Sequence, residues 1–286
     1  MTTAAGDDLP PIPAIADPPR GGELVRRHSL VTRIWHWTNA VTLLVMLMSG
    51  LMIFNAHPRL YWGQYGANRD HAWLQIGGRG EAGALKIGSF ALDTSGVLGS
   101  SVGVDGQVQQ VAFPHWATIP SDYSLADARI WHFAFAWVLA VGLLVYLLWG
   151  LARGHIRRTL HITRSEWRPS HIWHDIKEHA RLRFPTGVAA LRYNVLQKLA
   201  YCGVLFGLLP LIIFTGLTMS PGLNAGMPWL LDLFDGRQSA RSLHFLAAWG
   251  LVGFFLVHIA MVALAGPFNE VRSMITGWYR LPEEKP

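Results

Sequence analysis

The sequence predicts an all-α membrane protein: a four-transmembrane-helix bundle with a long loop between helices 1 and 2. Three observations predict it. Hydrophobic residues make up 51% of the 286-residue chain and charged residues only 15%, with a mean hydropathy of +0.26. Four apolar runs, near residues 34–55, 130–151, 195–219 and 243–265, each reach the ~20 residues that a spanning helix needs. Inside a bilayer every backbone polar group must be satisfied within the segment, so these runs are read as helices.

Charge distribution orients them. Residues 1–27 hold Asp7, Asp8 and many prolines, a pattern unlike a cleavable signal peptide, and read as a disordered tail. Arg26, Arg27 and Arg33 then precede helix 1. The loop 56–129 balances Arg59, Arg69, Arg79, Lys86 and Arg129 with six acids. The loop 152–192 is strongly basic, carrying Arg153, Arg157, Arg158, Arg164, Arg168, Lys177, Arg181, Arg183 and Arg192 against Glu166, Asp175 and Glu178. By the positive-inside rule both termini and loop 152–192 are cytoplasmic, so loop 56–129 and the short 220–241 loop face outward. The net charge of +6 is thereby explained without nucleic acid. The membrane domain is set at 28–280, with a cytoplasmic tail at 281–286.

A loop as long as 56–129 is either functional or disordered. Its alternating pieces A-L-K-I-G-S-F-A-L and V-Q-Q-V-A-F predict a small hairpin. Tyr61, Trp62, Trp116 and Tyr123 near its ends suit an interfacial aromatic belt. A folded cap or docking surface accounts for the length better than a connector does. In the inward loop, Ile172, Trp173, Ile176 and Ala180 share one helical face, which predicts an interfacial amphipathic helix. His171, His174 and His179 on it read as solvated interfacial histidines rather than as a metal site.

Four histidines fall inside or at the ends of the apolar runs, where ionisable residues are costly and usually mark function. His244 and His258 lie fourteen residues apart on helix 4, so both point the same way, about 21 Å apart along the axis. His36 opens helix 1 on the inner side and His132 opens helix 2 on the outer side. Depth therefore pairs His36 with His258 inside, and His132 with His244 outside. A single intramembrane histidine is as readily a helix-bridging hydrogen bonder. Two facing imidazoles without further ligands suit a haem iron in a bundle core, whereas zinc or copper wants a third or fourth donor. Cys202, the sole cysteine, permits neither a disulfide nor a thiolate-held cluster.

Smaller features accompany the histidines. Gly50 lies fourteen residues after His36, at the depth of the outer pair, and Gly142, Gly150, Gly250 and Gly253 also open space; porphyrin room and close helix packing both explain them. Arg33, Arg129 and Arg241 each precede a histidine by three residues, a spacing that suits propionate pairing and interfacial anchoring alike. His28, His155 and Asn39 are candidates for proton exchange near the inner pair, and His28 is an alternative ligand to His36.

The stretches R-I-W-H-W-T-N-A with M-S-G, and R-S-L-H with a second histidine fourteen residues on, resemble the four-helix di-haem cytochrome b superfamily. That superfamily includes bacterial cytochrome b561, the hydrogenase cytochrome b subunit and the formate dehydrogenase gamma subunit. Further stretches look like its thiosulfate-reductase-type branch: H-P-R-L-Y-W-G-Q-Y-G, Y-N-V-L-Q-K-L-A-Y, T-G-L-T-M-S-P, G-R-Q-S-A-R-S-L-H-F and N-E-V-R-S-M-I-T-G-W-Y. The resemblance implies two b-type haems on the two histidine pairs and electron exchange with a membrane quinone, menaquinone or ubiquinone. It also implies a bacterial inner-membrane location, a periplasmic outer loop, and a periplasmic molybdopterin oxidoreductase of the sulfite-oxidase type as partner. A homodimer is left open. The alternatives are a stand-alone quinone reductase or superoxide oxidase of the same fold, and a haem-free transporter.

Overall fold

The structure, a computed structural model, describes residues 21–181 and 191–281. The predicted N-terminal and C-terminal tails fall largely on residues 1–20 and 282–286, outside the described residues, as does the part of the basic loop at 182–190 that holds Arg183. Among the described residues, four helices are long and apolar enough to cross a membrane: α1 (Leu30–Asn55), α2 (Leu125–Ala152), the stretch Val195–Met219, and α9 (Arg237–Ala265). Large apolar side chains such as Val141, Leu144, Val145 and Leu148 on α2 are exposed. A bundle whose outer face meets lipid tolerates that arrangement; water would not.

Three spans start earlier than the apolar runs, and in two of them a polar cap sets the first turn. Ser29 Oγ accepts from the Thr32 N–H at 3.1 Å, and Ser124 Oγ accepts from the Asp127 N–H. Each satisfies a donor that the helix itself cannot reach. The third span is not uniform. It consists of α5 (Val195–Cys202), a π-helical segment at Gly203–Leu208, and α6 (Leu209–Met219). Pro210 has no N–H to give and its ring crowds the carbonyl four residues back, so the turn before it widens.

The chain divides into two compact units. One comprises 34–161 and 197–260, and its core lies between the helices: Met46, Leu139, Leu143, Leu205, Leu209, Ile212, Ala247 and Leu251. The same unit includes the outer loop, which is a folded cap. Strands β2 (Arg59–Leu60), β3 (Leu74–Arg79), β4 (Ala82–Ile87) and β5 (Phe90–Asp93) form an antiparallel sheet in that order, beside a small hairpin of β6 (Ser101–Val102) and β7 (Val108–Gln109). Of the two pieces predicted to form a hairpin, A-L-K-I-G-S-F-A-L folds on itself as β4–β5, turning at Gly88–Ser89 between the paired Ile87 and Phe90, while V-Q-Q-V-A-F supplies β7 and pairs with β6 instead. Gly88 has φ of +57° and Gly80, in the β3–β4 turn, +60°. Left-handed first positions of this kind match the strands' twist and favour glycine.

The cap is fastened to the helices by its own apolar core of Phe54, Leu60, Leu74, Ile76, Ala112 and Phe113. Tyr61 is 3% exposed and donates to the Ala67 carbonyl at 2.9 Å. It is a core residue of the cap, not a member of the expected aromatic belt. Trp62, Trp116 and Tyr123 do lie exposed.

The other unit, described over 21–33, 162–181, 191–196 and 261–281, ties the two chain ends together. Strand β1 (Leu24–Arg26), placed in the tail by sequence, pairs with β8 (Trp278–Arg280). Arg27 adds an ion pair to Glu270 at 3.0 Å. The basic loop folds as α3 (His155–Leu160), which the chain division assigns to the first unit, and α4 (Pro169–Ala180), the predicted amphipathic helix, with Trp173 and Ile176 exposed. Two short helices, α7 (Pro221–Gly226) and α8 (Trp229–Leu233), fill the 220–241 connection, and α10 (Pro267–Thr276) follows α9.

Asn55 closes the cap onto the end of α1, donating to the Phe113 carbonyl at 3.0 Å and accepting from the Phe113 N–H at 2.8 Å. Asn55→Ala leaves both half-buried groups unpaired, at a cost of about 1–3 kcal/mol. The expected result is a lower unfolding midpoint in detergent and earlier protease cleavage within 56–124, with helical circular dichroism retained.

Candidate functional site

The four helix histidines meet as two pairs. The His36 and His258 ring centres are 6.2 Å apart at an interplanar angle of 58°, and those of His132 and His244 are 6.2 Å apart at 59°. The ring that faces His258 within its own unit is that of His36. Both pairs draw one member from α9, where Ala247 and Leu251 of the apolar core lie between the ligands in sequence. The choice of partners therefore agrees with the sequence expectation.

The outer pair is held from behind. His132 Nδ1 lies 3.1 Å from Ser49 Oγ and 3.2 Å from the Met46 carbonyl on α1. His244 Nδ1 lies 3.0 Å from Thr215 Oγ1 on α6, and the Ile212 carbonyl takes part as well. Glycine follows each hydroxyl residue. A Cβ at Gly50 would stand 3.3 Å from His132 Cε1, and one at Gly216 3.4 Å from His244 Cε1. Gly50 thus admits the ligand ring itself to close range. The space at Gly142, Gly150 and Gly250 is taken by Trp35, Ile156 and Leu208, which is helix packing; Gly253 has nothing within 4 Å.

The inner pair is held differently. His258 stacks on Phe254 at 5.9 Å, and His36 meets Trp37 edge-on at 5.1 Å. His36 Nδ1 and Asn39 Oδ1, one turn apart on α1, are buried with no hydrogen-bond partner. Buried polar atoms rarely stay unpaired, so these two are candidates to meet a bound group.

The arginines have other engagements. Arg33 donates to the Ile275 carbonyl at 2.5 Å, Arg129 lies over the Phe133 ring at 5.6 Å, and Arg241 donates to the His57 carbonyl while lying over Phe54. Among the proton-exchange candidates, His155 packs on Trp149 at 5.0 Å; burial and then the Arg158 charge hold it below its ordinary value. In the cap, His57 is also lowered, by burial first and then by Arg241 and Arg59. On α4, His179 Nδ1 lies 2.8 Å from the Asp175 carbonyl. No cluster of three metal-ligating residues occurs among the described residues.

Sequence reasoning gave no role to Ser49, Thr215, Gly216, Ser239 or Ser242. The last two join two separate motifs of the sequence. Ser242 Oγ donates to the Tyr61 carbonyl at 2.6 Å and accepts from Trp73 Nε1 at 2.9 Å, while Ser239 Oγ accepts from the Gly63 N–H at 2.7 Å. The Y-W-G-Q-Y-G stretch is thereby stapled to the R-Q-S-A-R-S turn that leads into His244.

A family model described as prokaryotic cytochrome b561 matches residues 27–277. The chain belongs to this family. A protein of Azospira oryzae named as a putative protein-methionine-sulfoxide reductase subunit is 32% identical over 143 residues, 49% of this chain and 67% of that one. A probable Ni/Fe-hydrogenase B-type cytochrome subunit of Azotobacter chroococcum is 25% identical over 178 residues, 58% of this chain and 73% of its own length. A putative cytochrome of Escherichia coli, YdhU, is 24% identical over 261 residues, 91% and 76% of the two chains. No solved structure matches the chain. This is therefore a multi-pass bacterial membrane protein, a b-type cytochrome that acts as an electron-transfer subunit.

The residues present fit haem. An imidazole nitrogen binds a first-row metal at about 2 Å and the ring centre lies about 1 Å beyond, so two imidazoles on opposite sides of one ion have centres about 6 Å apart. Both pairs meet that spacing. Two donors without a third suit a metal whose equatorial positions are filled by a macrocycle.

The glycines behind the outer rings give a direct test. Gly50→Val or Gly216→Val presses methyl groups onto a ligand ring and is expected to remove about half of the bound haem, read by pyridine haemochrome. Gly253→Ala, with open space around it, is expected to leave haem content unchanged.

Proposed function

We propose that the chain carries two b-type haems, one between His36 and His258 and one between His132 and His244, and passes electrons between a quinone and an outer oxidoreductase. The observation that carries this reading is the repeated 6.2 Å pairing, the same at two depths of one helix. Haem iron exchanges one electron at a time. The chain's residues fix where it sits, exclude water through the apolar packing of the helices, and hold a proton on the outer Nδ1 atoms.

Orientation follows from the basic stretch 152–192, which places both termini in the cytoplasm and the cap in the periplasm. On that side Trp62, Tyr65, Phe90 and Trp116 are exposed. Aromatic residues of this kind are enriched at protein interfaces, which supports the cap as the docking surface of the partner. We read that partner as a molybdopterin oxidoreductase of the sulfite-oxidase type, and the chain as a thiosulfate-reductase-type cytochrome b subunit. Support comes from the stapling of the motifs quoted for that branch, and from relatives named as subunits of a hydrogenase and of a protein-methionine-sulfoxide reductase. At the inner end, the unpartnered Asn39 Oδ1 three residues from His36 supports a quinone hydroxyl as hydrogen-bond donor there. Arg33, Arg129 and Arg241 sit three residues from three of the ligands as candidate propionate partners.

Substitution of any one ligand tests the pairing. His132→Ala or His244→Ala is expected to remove one haem and His36→Ala or His258→Ala the other, with distinct losses in the reduced spectrum. If all four variants keep both haems, the ligand assignment is wrong. Pull-down on the tagged chain from its own membranes is expected to recover a molybdenum-containing protein, and trimming the cap's β4–β5 hairpin to abolish that recovery.

A further inference from the structure

The two outer histidines are held by one device used twice. On α1, Met46, Ser49 and Gly50 face His132; on α6, Ile212, Thr215 and Gly216 face His244, in the same order and spacing. In each copy the hydroxyl spends its own hydrogen on the helix backbone. Ser49 Oγ lies 2.7 Å from the Val45 carbonyl, and Thr215 Oγ1 lies 2.7 Å from the Leu211 carbonyl. Their next nearest carbonyls, Met46 at 3.3 Å and Ile212 at 3.2 Å, also belong to the backbone. Toward the imidazole each side chain therefore presents only a lone pair, as does the backbone carbonyl beside it.

An acceptor shell of this kind requires hydrogen on Nδ1 and leaves Nε2 bare. The tautomer of both outer rings is thus set by the protein, with Nε2 as the nitrogen available to a metal. Ser49 and Thr215 are fully buried, so water does not compete for these contacts. At the inner pair, His36 Nδ1 is buried without a partner. The outer site has both distal nitrogens held, and the inner site has at most one.

A ligand histidine whose distal N–H donates a hydrogen bond is more basic and favours the oxidised metal. We infer that Ser49 and Thr215 are positioning residues that make the His132–His244 haem harder to reduce than the His36–His258 haem. Electron transfer from the outer to the inner site is then the downhill direction. The inference rests on the haem-ligand reading above and adds the ordering of the two sites.

The test is a potentiometric titration of the purified full-length protein, followed by haem absorbance and by low-temperature electron paramagnetic resonance. Ser49→Ala and Thr215→Val each raise the lower of the two midpoints, leave the upper one in place and shift only one of the two low-spin signals. Ser49→Thr and Thr215→Ser, which keep the hydroxyl, retain the wild-type midpoints. Unchanged midpoints at full haem content overturn the proposal, as does movement of the upper midpoint or an equal shift in the hydroxyl-retaining variants. Should Ser49→Ala lose the outer haem, Thr215→Val reads the same effect on the second ligand. Nitrogen-15 resonances of labelled histidine in the reduced wild-type protein report the tautomer directly, and bare Nδ1 on either outer ring also overturns it. His132→Ala retaining both haems would instead sink the ligand reading beneath, so the two failures are separable.

Discussion

An imidazole placed in hydrocarbon has two nitrogens to satisfy and no water to satisfy them, and this protein is arranged around that constraint four times. Each ring meets another ring across a gap of 6.2 Å between centres. At the outer pair the second nitrogen is met by a hydroxyl and a carbonyl of a neighbouring helix. Much of the local architecture follows from that requirement. Ser49 and Thr215 must face inward, the residue after each must be small enough to let the ring approach, and α9 must carry ligands at two depths. A single helix meets the last condition only with a spacing close to a whole number of turns, which fourteen residues provide.

The cap serves the same end from outside. Its core includes Phe54 at the end of α1 and is packed by Phe245, the residue after His244, with those two rings 4.9 Å apart. Ser239 and Ser242 bind the cap's backbone within the first turns of α9. The start of α9 is thus fixed by the same contacts that fold the outer loop. A partner that presses on the exposed cap aromatics would act on elements rigidly joined to the outer ligand. A floppy connector could not hold the start of α9 in this way.

Much of the fold was legible because a membrane simplifies the problem. Hydropathy identified the four spans, and it missed the first turns of α1 and α2, where Ser29 and Ser124 cap the helix, and of α9. The histidine pairs followed from depth alone, since a straight helix converts residue number into position along the membrane normal. Tyr61 was misjudged as an interfacial aromatic because composition near a helix end does not reveal whether a ring points into a cap or toward lipid. Residues 24–26 were assigned to a tail because their strand partner lies more than 250 positions away, at 278–280.

The sequence by itself determined the class, the four spans and the fourteen-residue spacing of two histidines on one of them. These depend on composition and on one-dimensional spacing. Only the tertiary structure decided what stands behind each ring. Met46, Ser49 and Gly50 are ordinary residues of an apolar helix until His132 of another helix lands on them, and the same holds for Ile212, Thr215 and Gly216 beneath His244. The rotation of each helix about its axis is set by packing against its neighbours, and it selects which hydroxyl meets which nitrogen. Spacing along one strand of text carries no information about that rotation.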